Sequence, residues 1–136
     1  MSFKRLKTKY RKSASILHRA VGDKLKKHSL FSGYRIYQEY PIPNSPYFID
    51  WFIKDLGVAI ECHGEQHLRP VAFDGDKEAA KQRFLEQVIR DREKKSLCLA
   101  AGWQMTEIWF DETITDDLLS SRINECLEAS HGIAQR

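Results

Sequence analysis

A single carboxylate interrupts the most apolar segment of the chain. Residues 58–62 read Val-Ala-Ile-Glu-Cys and directly follow the turn residues Lys-Asp-Leu-Gly at positions 54–57. Such a run predicts a buried β-strand, and residues 47–53 predict a second strand that joins it as a β-hairpin. Because an unpaired carboxylate is costly inside a core, Glu61 needs a partner there. A metal cation is one candidate partner, and an arginine in a buried ion pair is the other.

The hairpin lies within an alternation of helical and strand patterns. Ser13 or Ser15 is a suitable cap for the first helix, and Gly102 suits the end of the long one. The pattern predicts helices over residues 13–28, 76–101 and 116–130, and strands over residues 34–40, 47–53, 58–62 and 103–110. The order αβββαβα predicts an α/β fold of the mixed α+β kind, in which helices flank a mixed sheet.

Charge is distributed unevenly along the 136 residues. Residues 1–29 contain ten Lys or Arg and one Asp, a balance of +9, which leaves 12 basic and 18 acidic residues, or −6, for the rest. We expect residues 1–12 to form a flexible basic arm and residues 13–136 to form a single domain. A basic arm beside a more acidic body favours an anionic polymer as partner, and a solvated tail is the alternative.

Several classes of protein are disfavoured by composition. No apolar run is long enough to span a bilayer, and the first residues lack the apolar segment of a signal peptide. The three cysteines, at positions 62, 98 and 126, form no CxxC pair. Their odd number and spacing argue against a disulfide framework or a structural zinc and indicate a reducing compartment. We therefore expect a cytoplasmic protein with no membrane partner.

A second acid stands one strand before Glu61. Asp50 lies within the apolar strand of residues 47–53. Two carboxylates on adjacent hairpin strands can converge on one cation, and hard divalent ions prefer such oxygen ligands. Because side chains alternate along a strand, His63 is expected on the same side of its strand as Glu61.

This spacing resembles the core of the PD-(D/E)xK nucleases. Asp50 is followed by ten residues and then by Glu61-Cys62-His63. In that superfamily the two acids and the backbone carbonyl of the middle residue bind Mg²⁺, which implies Asp50, Glu61 and the Cys62 carbonyl as metal ligands. His63 stands where the superfamily has a lysine that orients or deprotonates the attacking water, and an isoleucine replaces the proline before Asp50.

The continuation is similar to a narrower group, the small phage and bacterial endonucleases related to the very-short-patch repair (Vsr) enzymes. The segment from Glu61 to His67, Glu-Cys-His-Gly-Glu-Gln-His, resembles their E-x-D-G-x-x-H motif, and the His-Gly pair matches the Vsr enzymes themselves. Residues 90–95, Gly102-Trp103 and Ile108-Trp109 resemble the R-D-x-x-K helix, the G-W turn and the final strand of that group. A glutamate on the first helix of the relatives corresponds here to His18. Their structural zinc has no matching cysteines.

The resemblance implies a restriction-endonuclease-like core and a DNA endonuclease that uses Mg²⁺ or Mn²⁺. The implied catalytic residues are Asp50, Glu61, His63, Gln66 and His67. His67 is the preferred general base and His63 the alternative. Gln66 is a candidate for orienting water or phosphate.

Further residues are candidates for supporting roles. Asp91 and Lys95 interrupt the apolar stripe of the long helix, and together with His18 they are candidate helpers of the catalytic residues. For Asp91 and Lys95 the alternative is an i,i+4 ion pair at the edge of the helix. The candidate DNA contacts are Lys4, Arg5, Lys7, Lys9, Arg11, Lys12 and Arg69.

The expected partner is double-stranded DNA, with nicked, mismatched and branched duplexes as candidate substrates. The size of the chain favours a homodimer or a partner subunit for recognition, and the relatives imply a bacterial or phage-infected cell. DNA repair, homing and phage DNA processing all fit the scaffold. The alternatives are a non-catalytic DNA-binding or assembly module with a degenerate nuclease fold, and a structural protein without nucleic acid.

Overall fold

A computed structural model describes residues 15–72 and 75–134, with side chains up to residue 129. Within these ranges, three helices and four strands follow one another in the predicted order. They are α1 (Ile16–Lys27), β1 (Ile36–Pro41), β2 (Phe48–Ile53), β3 (Val58–His63), α2 (Lys77–Ala100), β4 (Gln104–Trp109) and α3 (Asp116–Ala134), with short 3-10 turns at Ser29–Phe31 and Glu65–His67. The α/β class and the mixed sheet are confirmed. The basic arm of residues 1–12, and Ser13, lie outside the described residues.

Local chemistry explains where the elements begin and end. The Ser15 hydroxyl accepts a hydrogen bond from the His18 N–H at 3.0 Å and caps α1. The Asp76 carboxylate caps α2 in the same way. Gly102 ends α2 with a φ of +82°, and Gly57 turns the β2–β3 hairpin with a φ of +65°, conformations that residues with a Cβ rarely adopt.

The sheet has the order β1-β2-β3-β4. β1, β2 and β3 are antiparallel neighbours, whereas β3 and β4 are parallel and α2 connects them. In the parallel register, Glu61 lies beside Glu107 and His63 beside Trp109. The sheet is therefore mixed, and β3, which carries the acidic motif, lies in its interior.

Helices cover both faces of the sheet. α1 and α3 pack on one face, in a core that includes Leu25, Trp51, Ile60 and Leu119. α2 covers the other face, where Cys98 belongs to a second core cluster that also contains Ile42, Ile49, Phe52 and Ala59. Because neighbouring side chains on β3 point to opposite faces, Ala59, Glu61 and His63 are directed toward α2.

None of the helices within the described ranges is long and apolar enough to cross a bilayer. The three cysteines at positions 62, 98 and 126 are free thiols.

Candidate active site

The backbone pairing of β2 with β3 ends one position before the two acids. Its last paired residues are Trp51 and Ile60. At the next position, hydrogen bonds to the side chains of the two acids take the place of the backbone hydrogen bonds between the strands. The Asp50 N–H donates to Oε1 of Glu61 at 2.8 Å, and the Cys62 N–H donates to Oδ2 of Asp50 at 2.8 Å. These reciprocal bonds bring the two carboxylates together where the strands separate.

Asp50 is contacted from the α1 side. Nδ1 of His18 lies 3.3 Å from Oδ1 of Asp50, while Nε2 of His18 lies 2.8 Å from Oε1 of Gln38. Burial alone would raise the pKa of Asp50, but the hydrogen bonds from His18 and from the Cys62 N–H outweigh it and lower that pKa. Asp50 is therefore the ionised member of the pair, and His18 holds it in place.

Glu61 is contacted from the α2 side. Burial and the charge of Asp50 raise the pKa of Glu61 to about 7, although the Lys94 ammonium opposes this rise. Nζ of Lys94 lies 3.2 Å from Oε2 of Glu61. The partner of the buried glutamate is thus a lysine, not the arginine considered as the alternative.

The lysine that reaches the site is one position away from the predicted helper. Lys94 is half-buried, whereas Lys95 is exposed. The inward face of α2 runs through Asp91, Lys94 and Cys98, at intervals of three and four residues, because this spacing keeps side chains on one side of a helix. Lys95 therefore does not reach the carboxylate pair; its charge instead helps His63 to lower the pKa of Glu107.

Two histidines and an aspartate form a cluster next to the pair. Nδ1 of His67 lies 3.0 Å from Nδ1 of His63 and 2.9 Å from Oδ2 of Asp91. Nε2 of His63 lies 2.7 Å from Oε2 of Glu107. Burial would lower the pKa of His63, but the hydrogen bond and charge of Glu107 outweigh it, so the pKa is raised. Gln87 supports the cluster by donating to Oδ1 of Asp91 at 2.9 Å.

The acid pair and His67 line one cleft of about 740 Å³. Gln66 also lines it and is exposed, in the 3-10 turn that follows β3. Arg69 is exposed and forms an ion pair with Glu65, outside the cleft lining. Cys62 lines the cleft as well, next to the acids. The predicted DNA contacts Lys4, Arg5, Lys7, Lys9, Arg11 and Lys12 lie outside the described residues.

Sequence reasoning missed three contributors to this site. Lys94 stands at the lysine position of the R-D-x-x-K resemblance, yet the predicted helper is Lys95; the signal that separates the two is the spacing of Lys94 from Asp91 and Cys98. Glu107 interrupts the apolar pattern of β4 as Glu61 interrupts that of β3, which is a signal of the same kind. Gln38 carries no sequence signal, because its role depends on the long-range contact with His18.

No protein-family model matches the chain, and no curated protein matches it either. The chemistry of the site therefore has to be argued from its own geometry.

The carboxylate pair fits a hard divalent cation. The two carboxylates supply oxygen ligands, and the charge of Asp50 helps to raise the pKa of Glu61, a repulsion that a shared divalent cation would relieve. The end of the strand pairing opens this position to the cleft. Asp50, Glu61 and the Cys62 carbonyl are the groups that would hold such an ion.

Proposed function

We propose that this protein is a Mg²⁺- or Mn²⁺-dependent endonuclease that hydrolyses phosphodiester bonds in DNA on a restriction-endonuclease-like core. The observation that carries the proposal is the meeting of Asp50 and Glu61 at the open end of the β2–β3 hairpin, in a cleft that also presents Lys94 and His67. The mixed four-stranded sheet with helices on both faces is compatible with this core.

The residues of the acid pair have separate tasks. Asp50, Glu61 and the Cys62 carbonyl would hold the divalent ion, which would supply the acidification of a water and the neutralisation of phosphate charge. His18 fixes the orientation of Asp50 through its contact with Oδ1. Lys94, which contacts Glu61 in the metal-free chain, would donate to an oxygen of the scissile phosphate when Glu61 serves as a metal ligand.

His67 is the residue that removes the proton from the attacking water. The Asp91 carboxylate accepts a hydrogen bond from Nδ1–H of His67, which keeps the ring proton on Nδ1. The lone pair on Nε2 of His67 is then free to act as the base. His67 is half-buried in the cleft lining, whereas His63 is 2% exposed and its Nε2 is held by Glu107. This difference favours His67 over His63. His63 orients His67, and Gln66 positions water or phosphate at the cleft.

The basic residues of the chain support DNA as the partner. Arg90 and Lys94 place basic groups in the cleft, and the ten basic residues within positions 1–29 would add phosphate contacts that do not depend on sequence. Nicked, mismatched and branched duplexes are candidate substrates together with plain duplex DNA. A homodimer or a partner subunit would complete recognition at this chain length.

The test is cleavage of plain, nicked, mismatched and branched duplexes with Mg²⁺ or Mn²⁺ and with EDTA. We expect metal-dependent cleavage of at least one duplex by wild type, and its loss in Asp50→Asn and Glu61→Gln. Asp117→Asn, an exposed carboxylate on α3, is the matched control and should cleave normally.

A non-catalytic DNA-binding module is the second candidate, and one observation favours it. Lys94 already supplies a positive charge beside Glu61 and could serve as the permanent partner of the pair. This candidate predicts retardation of DNA by wild type and by both acid variants, with no cleavage of any of the four duplexes under any metal condition.

A further inference from the structure

Three metal-ligating side chains converge beside the carboxylate pair. His63 ends β3, His67 lies in the 3-10 turn that follows, and Asp91 lies on α2. Nδ1 of His67 is 3.0 Å from Nδ1 of His63 and 2.9 Å from Oδ2 of Asp91, and the three donor atoms lie within 4.8 Å of one another. Two ligands that bind one ion at about 2.1 Å are about 3.0 Å apart at right angles and about 3.4 Å apart at the tetrahedral angle of Zn²⁺. The donor atoms are thus close enough to reach one ion with a small adjustment of the side chains.

A shared cation would satisfy the ring nitrogens and the carboxylate of this cluster together. A carboxylate only accepts, so Nε2 of His63 donates to Glu107, and in its neutral form the ring keeps a lone pair on Nδ1. Nδ1 of His67 can carry one proton, yet it faces two acceptors, Nδ1 of His63 and Oδ2 of Asp91. A single N–H shared between two acceptors bonds each of them only weakly, whereas one cation bound by all three atoms would satisfy them together.

The surrounding residues support the ligands as they do around bound metals. Glu107 fixes the ring of His63 through the nitrogen that does not face the cluster. Gln87 donates to Oδ1 of Asp91 and leaves Oδ2 directed at His67. Such outer contacts set the tautomer of a ligating histidine and the orientation of a ligating carboxylate.

We propose that His63, His67 and Asp91 form a binding site for a first-row divalent transition ion such as Zn²⁺, separate from the Asp50–Glu61 pair. Two imidazoles and one carboxylate suit such ions, whereas Mg²⁺ prefers oxygen ligands alone. Three protein ligands leave coordination positions for water or a phosphate oxygen, and His67 lines the cleft from which these would enter. The site does not depend on the proposed nuclease activity.

Occupancy of this site has a consequence for the proposed nuclease. An ion on Nδ1 of His67 confines the ring proton to Nε2, so the same histidine can no longer accept a proton from water. The cluster is thus either a metal site or a His–Asp base, and Zn²⁺ is expected to inhibit Mg²⁺-dependent cleavage. This expectation alone rests on the proposed function.

Binding is tested on the full chain after removal of metals with EDTA. Calorimetric titration with Zn²⁺ should show one saturable site, and Co²⁺ should give the visible absorption of an ion with nitrogen ligands. His67→Gln, at a half-buried turn position, should weaken Zn²⁺ binding at least about tenfold, and Glu107→Gln by roughly 10–100-fold as an outer contact. Circular dichroism confirms that each variant is folded.

Two controls separate this site from its neighbours. His28→Gln removes a histidine that is bonded to Ser120, outside the cluster, and should bind Zn²⁺ as wild type does. Asp50→Asn should also keep Zn²⁺ binding while it loses cleavage. Zn²⁺ affinity that is unchanged in His67→Gln, or absent in wild type, overturns the proposed site. Affinity that disappears in Asp50→Asn but persists in His67→Gln places the ion at the carboxylate pair and overturns it equally. Absent cleavage with intact Zn²⁺ binding refutes the nuclease alone.

Discussion

Replacing Glu61 with glutamine separates the two explanations for a carboxylate in the core. If the acid is retained to hold a cation, its charge destabilises the metal-free fold. If it is retained as the ion-pair partner of Lys94, its charge stabilises that fold. Glutamine preserves the size of the side chain, and its amide oxygen can still accept the Asp50 N–H. The substitution removes the negative charge, and with it the ion pair, because the amide nitrogen takes the place of Oε2 beside Lys94.

The structure gives the size and sign of the effect. Burial and the Asp50 charge raise the pKa of Glu61 from 4.5 to about 7, even with Lys94 in place. Because one pKa unit corresponds to about 1.4 kcal/mol, ionised Glu61 costs the folded state about 3 kcal/mol. Between these two pKa values the folded chain binds more protons than the unfolded chain, so this contribution is favourable at low pH and is lost as pH rises toward the folded value.

Urea unfolding in EDTA measures this difference directly. At pH 8 we expect Glu61→Gln to be about 2–3 kcal/mol more stable than wild type, and we expect the gap to close toward pH 4. Glu86→Gln, an exposed glutamate on α2, should change stability by less than about 0.5 kcal/mol. Saturating Mg²⁺ should stabilise wild type but not Glu61→Gln. The expected gain is about 2.7 kcal/mol when the Mg²⁺ concentration is one hundred times the dissociation constant. A Glu61→Gln protein that is less stable than wild type at pH 8 refutes this reasoning and assigns the glutamate to the ion pair.

Three further outcomes are expected. Lys94→Gln should reduce cleavage at least about tenfold, while the Mg²⁺ affinity measured by calorimetry stays equal or rises, because the ammonium competes with the ion for Glu61. Lys95→Gln is the matched control. A Lys94 variant that cleaves at the full rate would show that this residue takes no part in the reaction. Mg²⁺ affinity should increase from pH 5.5 to pH 8, since the ion displaces a proton from a carboxyl with a pKa of about 7; an affinity that does not change with pH contradicts Glu61 as a ligand. Deletion of residues 2–12 should weaken DNA binding. It should also reduce the slope of the logarithm of the binding constant against the logarithm of salt concentration by about 0.9 for each phosphate that the arm neutralises. An unchanged slope shows that the arm neutralises none.

The acid pair could be predicted because local sequence determines it. The four turn residues at positions 54–57 and the apolar runs on either side fix the hairpin register, and the register fixes which residues of β2 and β3 lie opposite each other. Asp50 and Glu61 therefore meet in the structure as their positions in the sequence indicate. The Ser15 cap and the glycine end of α2 follow from equally local rules.

The residues around the pair could not be predicted in the same way. A change of one position on a helix rotates a side chain by about 100°, so a small error in the helical phase exchanges Lys94 for Lys95. Contact between His63 and Glu107 depends on the parallel register of β3 and β4, which a 24-residue helix separates in the chain. The position of His18 beside Asp50 likewise depends on how α1 packs against the sheet. These contacts depend on long-range packing, which short sequence patterns do not predict.

The two candidate sites lie side by side because of the β3-α2-β4 topology. A helix that joins parallel strands returns antiparallel to them, so residues in ascending order on β3 meet residues in descending order on α2. Ala59 shares a core cluster with Cys98, Glu61 pairs with Lys94, and His63 and His67 gather at Asp91. Two residues on the strand advance about 6.6 Å, and the matching four and three residues on the helix advance about 6.0 and 4.5 Å, so successive pairs stay within reach of their side chains. An oxygen-rich site and a nitrogen-rich site are thus held one strand repeat apart, which is why Mg²⁺ affinity should follow Asp50 and Zn²⁺ affinity should follow His67.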